Sequence, residues 1–379
     1  MAIRAFLVQI PDSVLVDLRE RIERTRWPDE VGGSGWTFGA SLSTMKELAE
    51  YWVTRFDWRK VESEINAYPN SVIELAGYDV HFLRIRGQGK SPLPLMLIHG
   101  WPGSFLEMMK LVPLLMESRG ITFDLIVPSL PGYGFSERVT APGCGIQFIA
   151  HQFNLLMEAL GYEKYGVHGG DFGSGVGTAL ALAHPDNVVG LHLNNIEGYY
   201  RPFLPDGSNL TQEEVDFQAE AEEWYDREGA YSHQQRTRPL TLAYGLNDSP
   251  VGLCAWFIEK FFRWSDCRGD IESVFTKDEL LSNVTLYWVT QTVHSSFRLY
   301  HESRADPLHF AKGQFVRVPV GIARFPFEDP FPPRKYIEKG YNIQHWTDFP
   351  RGGHFASLEQ PELLASDIQK FFGSLLWKP

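Results

Sequence analysis

The sequence predicts an α/β fold with a mostly parallel central sheet, interrupted by a helical insertion and preceded by a wrapping N-terminal segment. Three observations carry that expectation. Short apolar runs bounded by Gly and Pro alternate with helix-period segments from residue 72 onward, the pattern of strands joined by crossover helices. That alternation stops at residue 197, gives way to charged and aromatic helical sequence, and resumes after residue 307. Residues 1–70 carry no strand pattern of comparable strength, but scatter indoles among polar helical stretches.

Along the N-terminal segment, Leu15, Leu18 and Ile22 fall at helical spacing, and Trp27, Trp36, Trp52 and Trp58 are expected as pegs against the main body. Strands are expected at Val72–Leu75 and Val80–Ile85 around a turn at Gly77, then at Leu95–Ile98. A helix over Leu106–Met116 leads to a strand at Phe123–Val127. A helix over Gln147–Leu160 leads to a strand at Tyr165–His168, a Gly- and Ala-rich helix over Ser174–Ala183, and a strand at Val188–Leu193. Inside the insertion, helices are expected over Glu213–Glu228, Cys254–Trp264 and Leu280–Val293. Strands return at Val318–Phe325 and Tyr341–Thr347, and a helix over Pro361–Leu376 closes the chain. The expected organisation is therefore a meander over 1–70, a catalytic unit over 71–196 and 308–379, and a helical cap over 197–307.

The bulk properties exclude several classes. A net charge of −12 over 379 residues, with no basic cluster, argues against nucleic acid or an anionic membrane as partner. Cys144, Cys254 and Cys267 lie far apart, with no zinc-like spacing and no disulfide framework, so neither metal nor cofactor is expected and a reducing cytoplasm fits. The first ten residues lack the features of a signal peptide, and no apolar run approaches the roughly 18–20 residues that span a bilayer.

The chemistry gathers in three loops. Gly169-Gly170-Asp171-Phe172-Gly173 lies between a predicted strand and a Gly-rich helix, the form of a nucleophile elbow with Asp in place of the usual Ser. His99-Gly100-Trp101-Pro102-Gly103-Ser104 follows the strand whose loop contributes one N–H to an oxyanion hole; the donors are then the peptide N–H groups of Trp101 and Phe172. Arg351-Gly352-Gly353-His354-Phe355 follows the last strand and supplies a general base. Phe325-Pro326-Phe327-Glu328-Asp329 supplies the acid that orients it. Glu328 is favoured over Asp329, which precedes a proline, and Glu197 is a more distant substitute. A carboxylate nucleophile suits attack on saturated carbon. An alkoxide would leave a stable ether, whereas a carboxylate leaves an ester that water can cleave.

With Arg26-Trp27-Pro28 and Leu130-Pro131-Gly132-Tyr133-Gly134-Phe135-Ser136, these motifs make the chain resemble the microsomal-type epoxide hydrolases nearly end to end. The resemblance implies the α/β-hydrolase fold with a cap and an N-terminal meander, a triad of Asp171, Glu328 and His354, and conversion of an epoxide to a vicinal diol through an aspartyl ester. It also implies two cap tyrosines that hold the epoxide oxygen, carried over as Tyr231 and Tyr300. The partners implied are a small apolar epoxide and water, with a homodimer left open. The chain departs from many relatives in having Phe172 where they have Trp. It also lacks the membrane anchor with which microsomal members begin, so the expectation is a soluble protein. Trp224, Phe257 and Phe261 either line a tunnel or fill the cap core. Two other functions compete: a haloalkane dehalogenase, for which Trp101 offers one N–H donor, and a catalytically silent binding protein.

Overall fold

The computed structural model describes residues 2–89, 91–117, 120–196, 200–205, 208–305, 310–328 and 330–376. Among the described residues nine strands form one sheet: β1 (Arg4–Ala5), β2 (Asn70–Leu75), β3 (Tyr78–Ile85), β4 (Leu93–Ile98), β5 (Phe123–Pro128), β6 (Tyr165–Gly169), β7 (Val188–Leu193), β8 (Val316–Arg324) and β9 (Tyr341–Asp348). Their order is β1-β2-β3-β5-β4-β6-β7-β8-β9. Pairs from β1 to β3, and β3 with β5, are antiparallel, and the other pairs are parallel. The β2–β3 hairpin turns on Ala76 and Gly77, both at positive φ, which is the backbone a two-residue turn needs to match strand twist.

From β4 the chain places β5 on one side, then returns to place β6 on the other. Such a reversal opens a crevice at the carboxyl ends of the flanking strands, the place where open parallel sheets bind ligands. The Asp171 and His99 loops both leave from there, following β6 and β4. Successive residues of β4 feed opposite cores. Met96 and Ile98 join the cluster that includes Phe153, Val176 and Leu191, while Leu95 and Leu97 join that of Phe105, Leu111 and Phe371.

The helix expected over Leu106–Met116 is two, Phe105–Met108 and Leu111–Met116. Pro113 has no N–H to continue the first helix, but fits the first turn of the second. The helix expected to reach Val293 ends at Thr290, where Gln291 turns left-handed (φ 55°), and a new helix runs over Val293–Ala305. Between β7 and β8 lie six α-helices among the described residues: Gln212–Glu228, Ala230–Thr237, Pro239–Leu246, Pro250–Trp264, Lys277–Thr290 and Val293–Ala305. Capping boxes at Thr211/Glu214 and Thr276/Glu279 fix the starts of two of them.

In the N-terminal segment, Trp52 and Trp58 are buried, Trp52 donating to Thr285 Oγ1 at 3.0 Å, and Trp36 stacks on Phe262 at 3.8 Å. Trp27 is no peg. It is 36% exposed, with the Lys46 ammonium beside its face. No helix among the described residues is long and apolar enough to cross a membrane.

Candidate active site

Asp171 sits at the turn between β6 and the helix Phe172–Ala183, with φ 51° and ψ −130°. A non-glycine residue held there costs about 1–3 kcal/mol, so the surroundings must impose the conformation. They do so by close approach. A Cβ on Gly173 would lie 2.1 Å from the Ile98 carbonyl oxygen, and one on Gly169 would lie 2.4 Å from the Gly173 carbonyl oxygen. The strand, turn and helix interlock at a distance only glycine allows. Asp171 Oδ1 accepts the N–H of Phe172 at 2.7 Å and of Trp101 at 2.8 Å. Both donors expected from the sequence therefore converge on one oxygen.

His354 faces the other oxygen, its Nε2 lying 3.5 Å from Asp171 Oδ2. Its Nδ1 is 2.8 Å from Glu328 Oε2, and Glu328 Oε1 accepts Asn195 Nδ2 at 2.6 Å. Asn195 Oδ1 in turn accepts the hydroxyl of Ser174 at 3.1 Å, and the same hydroxyl donates to the Asp171 carbonyl. Of the three acids considered, Glu328 is within reach; Asp329 and Glu197 lie outside the described residues. Burial disfavours charge on His354, but attraction to Glu328 and hydrogen bonds to Asp171 and Glu328 outweigh it and hold the imidazole well above its ordinary pKa.

The insertion closes over this group. Tyr231 stacks on the Trp101 ring at 5.2 Å, and Tyr300 meets the Trp101 ring edge-on at 5.6 Å and the Phe172 ring at 4.7 Å. The two residues whose peptides hold Asp171 thus carry the rings on which both tyrosines pack. The tyrosine rings lie 5.9 Å apart. Burial first, then Tyr231 and Asp171 nearby, push the Tyr300 phenol well above its ordinary pKa, so it stays protonated as a donor. Phe257 and Phe261 are wholly buried, Phe257 against Tyr287 and Phe261 stacked on Phe355, so they fill the core; Trp224 is half-buried beside Trp264.

Several site residues escaped the sequence reading. Asn195 is the second residue past the carboxyl end of a buried parallel strand, a placement that could have drawn notice. Asp266 and Glu359 had no such signal. Glu359 accepts the N–H of Phe355 and of Asp266, and Asp266 Oδ2 accepts Gly352 N–H, so this buried acid pair braces the His354 loop. Burial above all pushes Glu359 up to about 7. Glu107, buried below Gly100, is the fourth. No group of three or more His, Cys, Asp and Glu side chains suited to a metal occurs among the described residues.

The family described as epoxide hydrolase N terminus matches residues 3–108, and that described as alpha/beta hydrolase fold matches residues 93–243. Epoxide hydrolase 1 of Oryctolagus cuniculus is 36% identical over 404 residues, covering 98% of this chain and 89% of its own. Juvenile hormone epoxide hydrolase 2 of Ctenocephalides felis is 35% identical, covering 97% and 84%. The structure of the Aspergillus niger epoxide hydrolase superposes with a TM-score of 0.87 at 30% identity, over 100% of this chain and 97% of that one.

Proposed function

The chain belongs to the epoxide hydrolases of the α/β-hydrolase fold, and from that premise we propose that Asp171 opens an epoxide to an alkyl ester which water activated by His354 then cleaves to a vicinal diol. The observation that carries this reading is the inequality of the two Asp171 oxygens. Oδ1 is held by the Trp101 and Phe172 N–H groups, and Oδ2 faces His354. Oδ2 attacks the ring carbon from the side opposite the breaking C–O bond. Tyr231 and Tyr300 donate to the departing oxygen, as phenols that are neutral at pH 7 yet acidic enough to assist an alkoxide. The remaining oxygen, Oδ1, is then the ester carbonyl, already seated in its oxyanion hole when water attacks.

Charge sets the order of the two steps. While Asp171 is ionised it helps to keep His354 protonated. Alkylation removes that negative charge, so the imidazole loses a proton more readily when a base is needed. Glu328, fixed by Asn195, orients the ring throughout and stabilises the imidazolium. The aromatic walls suit a small apolar epoxide. A second reading has one observation in its favour. The indole N–H groups of Trp101 and Trp264 are buried without a hydrogen-bond partner, and a departing halide takes such donors; halide release from a chlorinated alkane tests it.

One turnover in heavy-oxygen water with enzyme in excess tests the ester. The first diol should be largely unlabelled, with label in the peptide containing Asp171, and later turnovers should give labelled diol. A labelled diol from the first turnover, with an unlabelled peptide, would mean that water attacks the epoxide directly.

A further inference from the structure

The roles above leave the buried carboxyl of Glu107, which borders the site, unused. Glu107, in the helix Phe105–Met108, is 9% exposed and directed beneath the loop that follows β4. A Cβ on Gly103 would lie 2.6 Å from Glu107 Oε1, so a side chain at 103 and a carboxyl at this position exclude one another. Oε1 accepts Gly100 N–H at 3.3 Å, and Gly100 itself packs against Asp171. A cavity of about 20 Å³ lies here, walled by Glu107, Asp171, His354, Ser357, Asn194 and the peptide of Gly100. One water needs roughly 10–15 Å³ of such space and two to four polar partners. Both conditions are met.

We propose that this cavity seats the hydrolytic water and that Glu107 is the catalytic residue that holds it; the proposal rests on the ester reading above. A water that gives one hydrogen to His354 Nε2 and directs the other at Glu107 turns a lone pair toward the Asp171 carbonyl carbon. The new C–O bond forms as the first proton passes to His354, and the oxyanion on Oδ1 rests on the Trp101 and Phe172 N–H groups. Collapse breaks the bond between the Asp171 carbonyl carbon and Oδ2, which leaves on the substrate carbon as the second hydroxyl of the diol and takes the proton from His354. The second water hydrogen stays on the regenerated Asp171 carboxyl and returns from there to the phenolate left by ring opening.

The charge state of Glu107 suits this task. Burial, against the weaker opposing pull of Gly100 N–H and His354, pushes its pKa up to about 8. The titratable groups facing it are Asp171, His354 and Tyr287, with the Ser357 hydroxyl beside them. A neutral acid holds the water without setting a second negative charge against the forming oxyanion. Ionisation above pH 8 should slow ester decay for that reason.

The test separates the two half-reactions by rapid quench and intact-protein mass spectrometry, using styrene oxide as probe. In Glu107→Ala, ester formation should keep its wild-type rate while ester decay slows about 100-fold, the effect of misplacing a reactant by about 1 Å. Glu107→Gln, neutral at every pH and of nearly the same shape, should slow ester decay less than Glu107→Ala does and should lose the fall above pH 8. Normal ester decay in Glu107→Ala, or slowed ester formation in either variant, overturns the water seat. An unchanged fall above pH 8 in Glu107→Gln overturns it too, independently of how well the alanine variant folds. Absence of any ester in His354→Gln would instead overturn the reading of Asp171 on which the proposal rests.

Discussion

Gly100→Ala is the smallest change that should uncouple folding from chemistry. The added methyl would lie 2.3 Å from Asp171 Cβ and 2.4 Å from Oδ1, against an ordinary contact of at least 3.4 Å. Asp171 has no freedom to rotate away, because Oδ1 is fixed by two N–H groups and its backbone is held at positive φ. One side of the pair must therefore move by about 1 Å, which in a positioned reactant costs roughly 100-fold in rate. The stability cost is that of overpacking one methyl, about 1–3 kcal/mol. A protein with about 5–15 kcal/mol in hand stays folded. Thermal unfolding followed by circular dichroism should show a cooperative transition at a lowered midpoint, and rapid-quench measurement of ester formation should show the rate loss. Gly245→Ala is the matched control: its methyl meets nothing within 4 Å on an exposed helix, so activity should be unchanged. Wild-type ester formation in a folded Gly100→Ala protein would show that the loop yields freely and that the seat of Oδ1 is not rigid.

Three further outcomes follow from the geometry. Replacing Tyr231 or Tyr300 by Phe removes one donor to the departing oxygen and should slow ester formation by about 100- to 1000-fold, as loss of one oxyanion donor does; the double variant should form almost no ester, and normal ester formation there in single-turnover kinetics would refute the assignment. Asn195→Ala leaves Glu328 Oε1 without its 2.6 Å donor, a charged hydrogen bond worth about 1.5–3 kcal/mol, and should slow ester decay about 10- to 100-fold without slowing ester formation. The pH dependence has a definite sign: His354 is a base only above its pKa, and alkylation of Asp171 lowers that pKa. Ester decay should therefore rise with pH through a midpoint below that of the imidazole titration seen by NMR in the free enzyme, and coincident midpoints would deny the Asp171 charge any part.

The sheet was legible because apolar runs such as Leu93–Ile98 and Val188–Leu193 sit between Gly and Pro loops, and a strand buried on both faces can hardly be written otherwise. Asp171 and His354 were legible because their loops need glycine and leave from strand ends, and Glu328 because its loop leaves from the end of β8. What escaped was set by distant packing. Glu107 reads like any acidic residue of a short amphipathic helix, and only the approach of Gly100 and Gly103 reveals that its carboxyl is buried. The break between Met108 and Leu111 was written in Pro113, but the apolar run around it hid the signal. Tyr231 and Tyr300 lie 69 positions apart on two helices, and the residues around them carry no local pattern that joins them; the resemblance to a family supplied the pair.

The helical insertion does more than cover the site, because it holds both ends of the proposed reaction. Tyr231 and Tyr300 belong to it, on helices Ala230–Thr237 and Val293–Ala305. So does Trp264, whose carbonyl accepts the His354 N–H at 2.9 Å and whose ring lies edge-on to the imidazole at 5.1 Å. Two residues further on, Asp266 joins Glu359 in bracing Gly352 and Phe355 on either side of that histidine. The general base is thus positioned from the insertion as much as from the sheet, whereas Asp171 and its two N–H donors depend on β4, β6 and the helix after it. A shift of the insertion that widens the space between the tyrosines and Asp171 must also pull on the His354 loop. Substitutions that reshape this wall to admit a bulkier epoxide should therefore disturb ester decay as well as ester formation, and those near Trp264 and Asp266 should do so most.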